Sequence, residues 1–212
     1  MIEHELTHNG IGVNSCSIKQ QIMFIYNIPK LERIIDNYKK QKNKPVDYHV
    51  QFCLDQENLK DAIEAAARAV DDYGKIHFHQ RRVSKADLMA LAEKLMSLES
   101  EFANAKNFDE IYGIIRETNQ SGINEITIYD TAFRIGSYLN IFADKIYLTS
   151  GTRIGAEHLL GKLDDKNTLL PSDLPTPFQR KDLSVPDIED ILYVCRNELE
   201  YCVRSRFKIY SE

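Results

Sequence analysis

Apolar residues recur at spacings of three and four along most of the chain, which is the pattern of amphipathic α-helices. The most regular stripe consists of four leucines within residues 85–102, where Ser84 is the predicted N-cap. Only nine glycines and six prolines interrupt the 212 residues. The chain has no internal repeat and no polar linker, so the pattern predicts one all-α domain spanning residues 1–212.

The same spacing predicts most of the remaining helices and leaves two segments that need separate treatment. Residues 46–54 are rich in aromatic and branched side chains and fit a short strand or a helix. Residues 163–183 hold three of the six prolines and are predicted to form an irregular connection packed by apolar side chains. The other predicted helices cover residues 18–26, 31–40, 58–73, 149–161 and 184–206.

Residues 108–161 are the most informative stretch, since their order reads as helix, tight turn, helix, short loop and third helix. Gly122 permits a positive φ in the turn, and Asn124 is one of the few other residue types that tolerate one. The second helix is predicted to start at Thr127, with Asp130 in the capping-box position. This order predicts a helix-hairpin-helix.

The hairpin sequence S-G-I-N-E-I-T at residues 121–127 resembles the P-G-I-G-x-x-T hairpin of the helix-hairpin-helix DNA glycosylases, the endonuclease III-like superfamily. The resemblance covers only residues 108–161. It implies a glycosylase-like fold in which the hairpin amides and the following helix N-terminus hold a DNA phosphate. The residues that it implies for nucleic-acid binding are Gly122, Ile123, Asn124, Thr127 and Arg153.

Two departures from this family concern its chemistry. The position of the catalytic Lys of the lytic glycosylases is taken by Ile126, and that of the catalytic Asp by Leu148. The amine that forms a Schiff base and the carboxylate that stabilises an oxocarbenium-like centre are therefore both missing. The resemblance thus implies the scaffold without base excision, and no catalytic residue is assigned. Residues 129–136 are also similar to a Y-D-T-A-x-R-I-G helix of bacterial proteins, which implies no activity.

The densest polar cluster of the chain is K-I-H-F-H-Q-R-R at residues 75–82. Its side chains His77, His79, Arg81 and Arg82 can bind an anion such as a phosphate, and a histidine can transfer protons. The alternative is that both histidines cap neighbouring carbonyls while the arginines pair with surface carboxylates. The nearest carboxylates in sequence end the preceding helix and no Cys is close, so neither a metal site nor a cofactor is predicted.

A second anion site is predicted where residues 149–153 open a helix. Hydroxyl groups and an Arg at a helix N-terminus suit an anion, and they serve equally well as ordinary caps. If this segment and residues 75–82 meet in space, they would form a phosphate-ester or nucleotide pocket. The residues concerned are Thr149, Ser150, Thr152 and Arg153.

Charge argues against tight DNA binding by the hairpin alone. The chain has a net charge of −5 and a pI near 5.7, and residues 108–161 contain four basic and seven acidic residues. Non-specific DNA affinity depends mainly on neutralised phosphates. DNA is therefore a candidate partner only with basic groups from elsewhere, such as Arg81 and Arg82.

The apolar runs and the cysteines predict a reduced, cytoplasmic protein without a membrane segment. No apolar run approaches the length of a bilayer span, and the N-terminus lacks a basic stretch followed by an apolar one. The four cysteines show no C-x-x-C spacing and are predicted to be reduced thiols. Cys195 and Cys202 are predicted on one helix face, where two further ligands for an iron-sulfur cluster are missing.

Two further motifs are predicted to be coincidental. Residues 4–8, H-E-L-T-H, match the zinc-peptidase signature H-E-x-x-H but lack the long helix and the third ligand that such sites need. The lysine-rich run at residues 39–44 is predicted to be a solvated helix end that complements the helix dipole.

Three functions follow from these observations. The first is a non-catalytic helix-hairpin-helix protein that binds nucleic-acid backbone phosphate. The second is an enzyme that acts on a phosphorylated or nucleotide ligand through His77, His79, Arg81 and Arg82. The third is a protein-interaction module, which a large apolar patch or a dimer surface would indicate. The residue pattern leaves the oligomeric state open.

Overall fold

The computed structural model describes residues 19–41, 47–118 and 120–210, with the backbone alone for residues 19–23 and 205–210. The H-E-x-x-H motif at residues 4–8 lies outside these ranges, as do Cys16 and residues 42–44 of the lysine-rich run. The described chain is mostly helical, as the apolar spacing predicts. None of its helices is both long enough and apolar enough to cross a lipid bilayer.

The described ranges contain ten α-helices and four β-strands. The helices are α1 (Ile28–Gln41), α2 (Tyr48–Leu54), α3 (Leu59–Arg68), α4 (Lys85–Met96), α5 (Glu99–Asn104), α6 (Phe108–Glu117), α7 (Glu125–Leu139), α8 (Ser150–Leu160), α9 (Val185–Val194) and α10 (Arg196–Leu199). The strands form two antiparallel pairs, β1 (Lys19–Tyr26) with β4 (Val203–Tyr210) and β2 (Ile146–Tyr147) with β3 (Thr168–Leu169).

Buried apolar side chains form two clusters. The first is enclosed by α2 to α7 and includes Phe102, while the second is enclosed by α1, α8, α9 and α10 and includes Phe178. Strand β2 contributes to both clusters, because successive residues of a strand face opposite sides. Tyr147 belongs to the first cluster and Ile146 to the second. This strand therefore connects the two parts of the core.

Helices α8 and α9 pack at close range through two glycines of α8. Gly151 and Gly155 stand one turn apart and therefore lie on one face of the helix. A β-carbon on Gly151 would overlap the Tyr193 ring, and one on Gly155 would lie 2.7 Å from the carbonyl carbon of Leu192. Only a residue without a side chain allows this approach. The G-T-R-I-G sequence thus determines the distance between the two helices.

The predicted helix over residues 18–26 is wrong, because residues 19–26 of this range form β1. This strand pairs with β4 along its whole length, from Lys19↔Tyr210 to Tyr26↔Val203. In so short a segment of branched and aromatic residues, the helical and strand patterns are hard to distinguish. Pairing with β4 determines that the segment forms a strand. The Tyr26 hydroxyl donates to the carbonyl oxygen of Leu159 at 3.1 Å and attaches the strand pair to α8.

The predicted helix over residues 184–206 is divided in the structure. Helix α9 ends at Val194, α10 follows, and a 3₁₀ turn at Glu200–Cys202 leads into β4. Cys195 is the C-cap of α9 and Cys202 ends the turn, so the predicted common helix face is wrong. The three described cysteines carry free thiols.

Other helix boundaries differ from the prediction for local reasons. Residues 46–54, which fit a strand or a helix, contain α2. Helix α3 ends earlier than predicted, because Ala69 adopts a left-handed conformation with a φ of 54°. The predicted helix over residues 85–102 is divided at Ser97, the C-cap of α4.

Helix α7 begins two residues earlier than predicted, which changes the role of Asp130. Asn124 is the N-cap, and its side-chain oxygen accepts a hydrogen bond from the Thr127 amide at 2.9 Å. Thr127 therefore lies inside the first turn, where it is buried. Asp130 stands too far along the helix to cap it, so its carboxylate is free to contact other parts of the chain.

Candidate histidine-carboxylate site

The segment between α3 and α4 folds back on itself and buries part of its polar cluster. Val70 and Ile76 form an antiparallel bridge, and Phe78–Gln80 form a 3₁₀ turn. Gln80 is completely buried by this arrangement. The turn brings His79 against α7, where its side chain meets a carboxylate.

The polar groups of this turn meet at Asp130 of α7. Its Oδ2 accepts a hydrogen bond from His79 Nδ1 at 2.8 Å and another from Gln80 Nε2 at 2.8 Å. His77 Nδ1 lies 3.8 Å from the same oxygen. The tertiary fold thus joins His79 to a carboxylate that is 51 residues away in sequence.

The hydrogen-bond network assigns the tautomers of both histidines. A carboxylate only accepts, so the Gln80 side chain must turn its NH₂ group towards Asp130. Its Oε1 then accepts from Arg134 at 3.3 Å and from His77 Nδ1 at 3.1 Å. In their neutral forms, His77 and His79 therefore carry the proton on Nδ1 and a lone pair on Nε2.

Burial and the guanidinium of Arg134 determine the charges of the site. Burial lowers the pKa of His77 to about 4, and the charge of Arg134 adds to the effect, so His77 is neutral at pH 7. Burial alone would raise the pKa of Asp130, but the hydrogen bond from His79, the charge of Arg134 and the hydrogen bond from Gln80 lower it below the usual value. Asp130 is therefore ionised near the buried, positively charged Arg134.

The Nε2 atom of His79 is buried and has no hydrogen-bond partner among the described residues. The rings of Phe78 and Tyr193 pack against the imidazole, with centroids 4.0 Å and 6.2 Å away. The Tyr193 ring in turn packs on Gly151 of α8. A buried polar atom without a partner costs about 1–3 kcal/mol and calls for a specific explanation. Its lone pair is an acceptor for a proton or for a hydrogen bond.

The arginines of the predicted anion site, Arg81 and Arg82, are exposed at the end of the 3₁₀ turn. Neither makes an ion pair within the described part of the chain, so the predicted pairing with surface carboxylates is not found there. The histidines contact the side chains of Gln80 and Asp130 instead of capping the neighbouring carbonyls. The arginine charges therefore remain available to an anionic ligand.

The second predicted anion site, at the start of α8, is occupied by contacts within the chain. The hydroxyl oxygens of Thr149 and Thr152 lie 3.2 Å apart, and Arg153 donates to the carbonyl oxygen of Lys166 at 2.6 Å. Ser150 is exposed. No hydrogen bond or ion pair between described residues joins these polar groups to either histidine. The two predicted anion-binding segments therefore do not meet through their polar groups.

The turn between α6 and α7 contains the predicted left-handed glycine together with an acidic neighbour. Gly122 has a φ of 79° and is exposed. The amides of Ile123 and Thr127 already donate to groups of the same turn, at 3.3 Å and 2.9 Å. Asp87 of α4 lies against the turn, since a β-carbon on Gly122 would be 2.6 Å from its Oδ2. A phosphate held at this turn would meet that carboxylate.

His77, His79 and Asp130 each offer one potential metal-ligand atom, and these atoms lie within 4.8 Å of one another. This spacing is short enough for all three to bind one metal ion. Two features oppose a cation here. Arg134 already balances the charge of Asp130 from a buried position, and the Nδ1 atoms of both histidines carry protons in the hydrogen-bond network. The charge balance therefore favours a proton-transfer site over a metal centre.

Gln80, Asp130 and Arg134 are members of the site that the sequence did not predict. Asp130 and Arg134 stand four residues apart and thus share one face of α7. A charged pair at this spacing within a largely apolar helix is a signal for a buried polar site. In the sequence this signal is ambiguous, because Asp130 also fits a capping box after Thr127.

No family model matches the chain. No curated protein and no solved structure matches it either. The likeness of residues 121–127 to the glycosylase hairpin therefore stays a prediction, and the functional argument depends on the residues and distances of the site.

Proposed function

We propose that the protein is an enzyme in which His79 exchanges a proton with a small phosphorylated ligand. The observation that carries this proposal is the hydrogen bond from His79 Nδ1 to Asp130, together with a buried Nε2 that has no partner among the described residues. A carboxylate on one ring nitrogen fixes the tautomer and orients the other nitrogen as the proton acceptor. Asp130 is thus the positioning residue and His79 the catalytic one.

The preference for a phosphorylated ligand is supported by the charges around the histidines. Arg81 and Arg82 follow His79 directly in the chain and make no ion pair within the described residues. Arginine side chains present several donors that match phosphate oxygens. On a chain whose net charge is −5, two unpaired guanidinium groups beside a histidine favour an anion locally.

The proposal is tested by NMR titration of ¹⁵N-labelled protein with inorganic phosphate and with phenyl phosphate. Phosphate is expected to shift the His79 ring signals, and His79→Ala is expected to weaken binding about tenfold or more. His158→Ala is the matched control, because His158 is hydrogen-bonded to the Arg196 carbonyl oxygen and is not part of this site. Equal affinities in the parent and in His79→Ala would contradict the proposed site.

The proton transfer itself needs a separate measurement. Hydrolysis of p-nitrophenyl phosphate is expected in the parent protein and not in His79→Ala. Asp130→Asn is expected to retain phosphate binding and lose activity, because a neutral amide no longer stabilises a positively charged imidazole. Long-range ¹H–¹⁵N spectra should show the Nδ1–H tautomer of His79 in the parent. An Nε2–H tautomer, or equal hydrolysis in all three proteins, would overturn the enzyme proposal.

A second candidate function is binding of nucleic-acid backbone phosphate by the turn between α6 and α7, which would act as a helix-hairpin-helix. It is supported by the exposed Gly122 with its positive φ and by the α7 N-terminus that follows at once. The opposing feature is Asp87, whose carboxylate lies against the turn. This pair of observations gives a test in which two substitutions act in opposite directions.

If the turn holds a phosphate, Asp87→Asn is expected to tighten DNA binding severalfold and Gly122→Val to abolish it. Fluorescence anisotropy against duplex, abasic and single-stranded DNA at two salt concentrations measures both effects. Glu198→Gln makes the same change of charge at an exposed position of α10, a helix that packs on α8 and α9. It should behave as Asp87→Asn only if general charge is responsible. If folded Gly122→Val binds like the parent, the turn is not the DNA site.

A further inference from the structure

A cleft of about 510 Å³ lies between α6, the first turn of α7 and the β2–β3 pair. Its volume is within the range of small-ligand sites. The cleft does not include any residue of the histidine-carboxylate site. The residues that concern its chemistry are Asp109, Tyr112, Arg116, Glu125, Lys145 and Tyr147.

Two nearly buried tyrosines, Tyr112 and Tyr147, line the cleft with ring centroids 4.7 Å apart. The Tyr112 hydroxyl donates to Glu125, and the Tyr147 hydroxyl donates to Asp109. Burial raises the pKa of both phenols, and the carboxylates add to the effect. Both tyrosines therefore stay protonated at neutral pH and hold the two carboxylates in place.

The charged side chains of the cleft are only partly paired with one another. Asp109 forms an ion pair with Lys145. Arg116 and Glu125 have opposite charges, yet they form no ion pair with each other or with any other described residue. Tyr112 stands between them, since the Arg116 guanidinium carbon is 6.0 Å from its ring centroid and Glu125 accepts from its hydroxyl. Among the described residues, the cleft thus offers one positive and one negative group that belong to no ion pair.

We propose that this cleft binds a small zwitterion of the α-amino-acid type. The ligand carboxylate would pair with Arg116, whose fork of N–H donors matches two carboxylate oxygens, and the ligand ammonium would pair with Glu125. Arg116 and Glu125 are both exposed, so a ligand with a single charge would gain a charge-assisted contact from only one of them. A zwitterion satisfies both groups at once.

Binding is tested by isothermal titration of the full-length protein with the twenty common L-amino acids at up to about 10 mM, a range that reaches millimolar Kd values. At least one amino acid is expected to bind. The tightest is then compared with its two singly charged analogues, the decarboxylated amine and the deaminated acid. Each analogue is expected to bind about tenfold more weakly or not at all. The absence of binding by all twenty, or equal binding of either analogue, would overturn the proposal.

Substitutions in the cleft locate the site. Arg116→Gln and Glu125→Gln are each expected to weaken binding about tenfold or more. Glu117→Gln is the matched control, because Glu117 is an exposed carboxylate of the same helix that does not line this cleft. Unchanged affinity in Arg116→Gln or Glu125→Gln would show that the amino acid binds elsewhere. His79→Ala is expected to bind the amino acid normally, so this site and the proposed histidine site succeed or fail separately.

Discussion

Replacing Gly155 by alanine is expected to destabilise the protein by about 3 kcal/mol, because overpacking of a close helix contact costs this order of free energy. The added β-carbon would lie 2.7 Å from the carbonyl carbon of Leu192 and closer still to its oxygen. Both atoms belong to the backbone of α9, so no side-chain rotation can relieve the overlap. Helices α8 and α9 would have to separate, which opens the second apolar cluster.

Urea unfolding of the parent and the variant measures this loss. Gly113→Ala is the matched control, since a β-carbon on this glycine of α6 meets no atom within 4 Å. Alanine in an unobstructed helical position is expected to stabilise by about 0.5–1 kcal/mol, because glycine loses more backbone entropy on folding. If Gly155→Ala is as stable as the parent, the close packing of α8 on α9 is wrong.

Replacing Glu189 by glutamine is expected to remove a large part of the pH dependence of stability. Glu189 is 8% exposed and accepts hydrogen bonds from the Tyr147 amide at 2.6 Å and from the Tyr129 hydroxyl. Burial raises its pKa to about 8, and the negative charges of Asp190 and Asp130 add to the effect. The folded protein therefore holds a proton at pH 7 that a solvent-exposed Glu would release.

The sign of the effect follows from the protons bound in each state. The unfolded chain releases this proton near pH 4.3, whereas the folded chain keeps it up to about pH 8. Between these values the folded state binds more protons, so stability is fully present below pH 4.3 and is lost as the pH rises towards 8. The loss is roughly 1 kcal/mol per pH unit across this window.

A glutamine at position 189 can make both hydrogen bonds without titrating. Its oxygen can accept from the Tyr147 amide, and its NH₂ group can donate to the Tyr129 hydroxyl oxygen. The free energy of unfolding of the variant and of the parent is measured in urea at pH 5, 6.5 and 8. At pH 5 the two proteins are expected to differ little. The variant should be the more stable by roughly 3 kcal/mol at pH 8.

The exposed Glu198 supplies the control for this experiment, because Glu198→Gln removes a carboxylate from the surface of α10. Its stability should follow that of the parent at all three pH values. Parallel curves for Glu189→Gln and the parent would show that Glu189 titrates normally in the folded protein.

The predictions that depend on neighbours in sequence were the accurate ones. Ser84 caps α4 as predicted and accepts a hydrogen bond from the Asp87 amide at 3.0 Å. Asn107 caps α6 and Ser184 caps α9 by the same contact to the amide three residues on. Such contacts span three residues, so the residue types and their spacing are sufficient to recognise them.

Predictions that depend on distant partners failed for a physical reason. β1 was predicted as a helix because its strand partner lies at the other end of the described chain. In short segments, pairing with another strand outweighs the weak local preference. The same limit applies to the end of α9, where the chain leaves the helix and enters β4.

For the candidate sites, the sequence by itself determined which chemical groups are present, and the tertiary structure decided which of them act together. The sequence places His77, His79, Arg81 and Arg82 in one polar cluster, but only the fold brings Asp130 to His79. That contact joins residues 51 positions apart, and no local spacing encodes it. Burial of the contact is also a tertiary property, and within the described part of the chain the buried Nε2 of His79 has no partner.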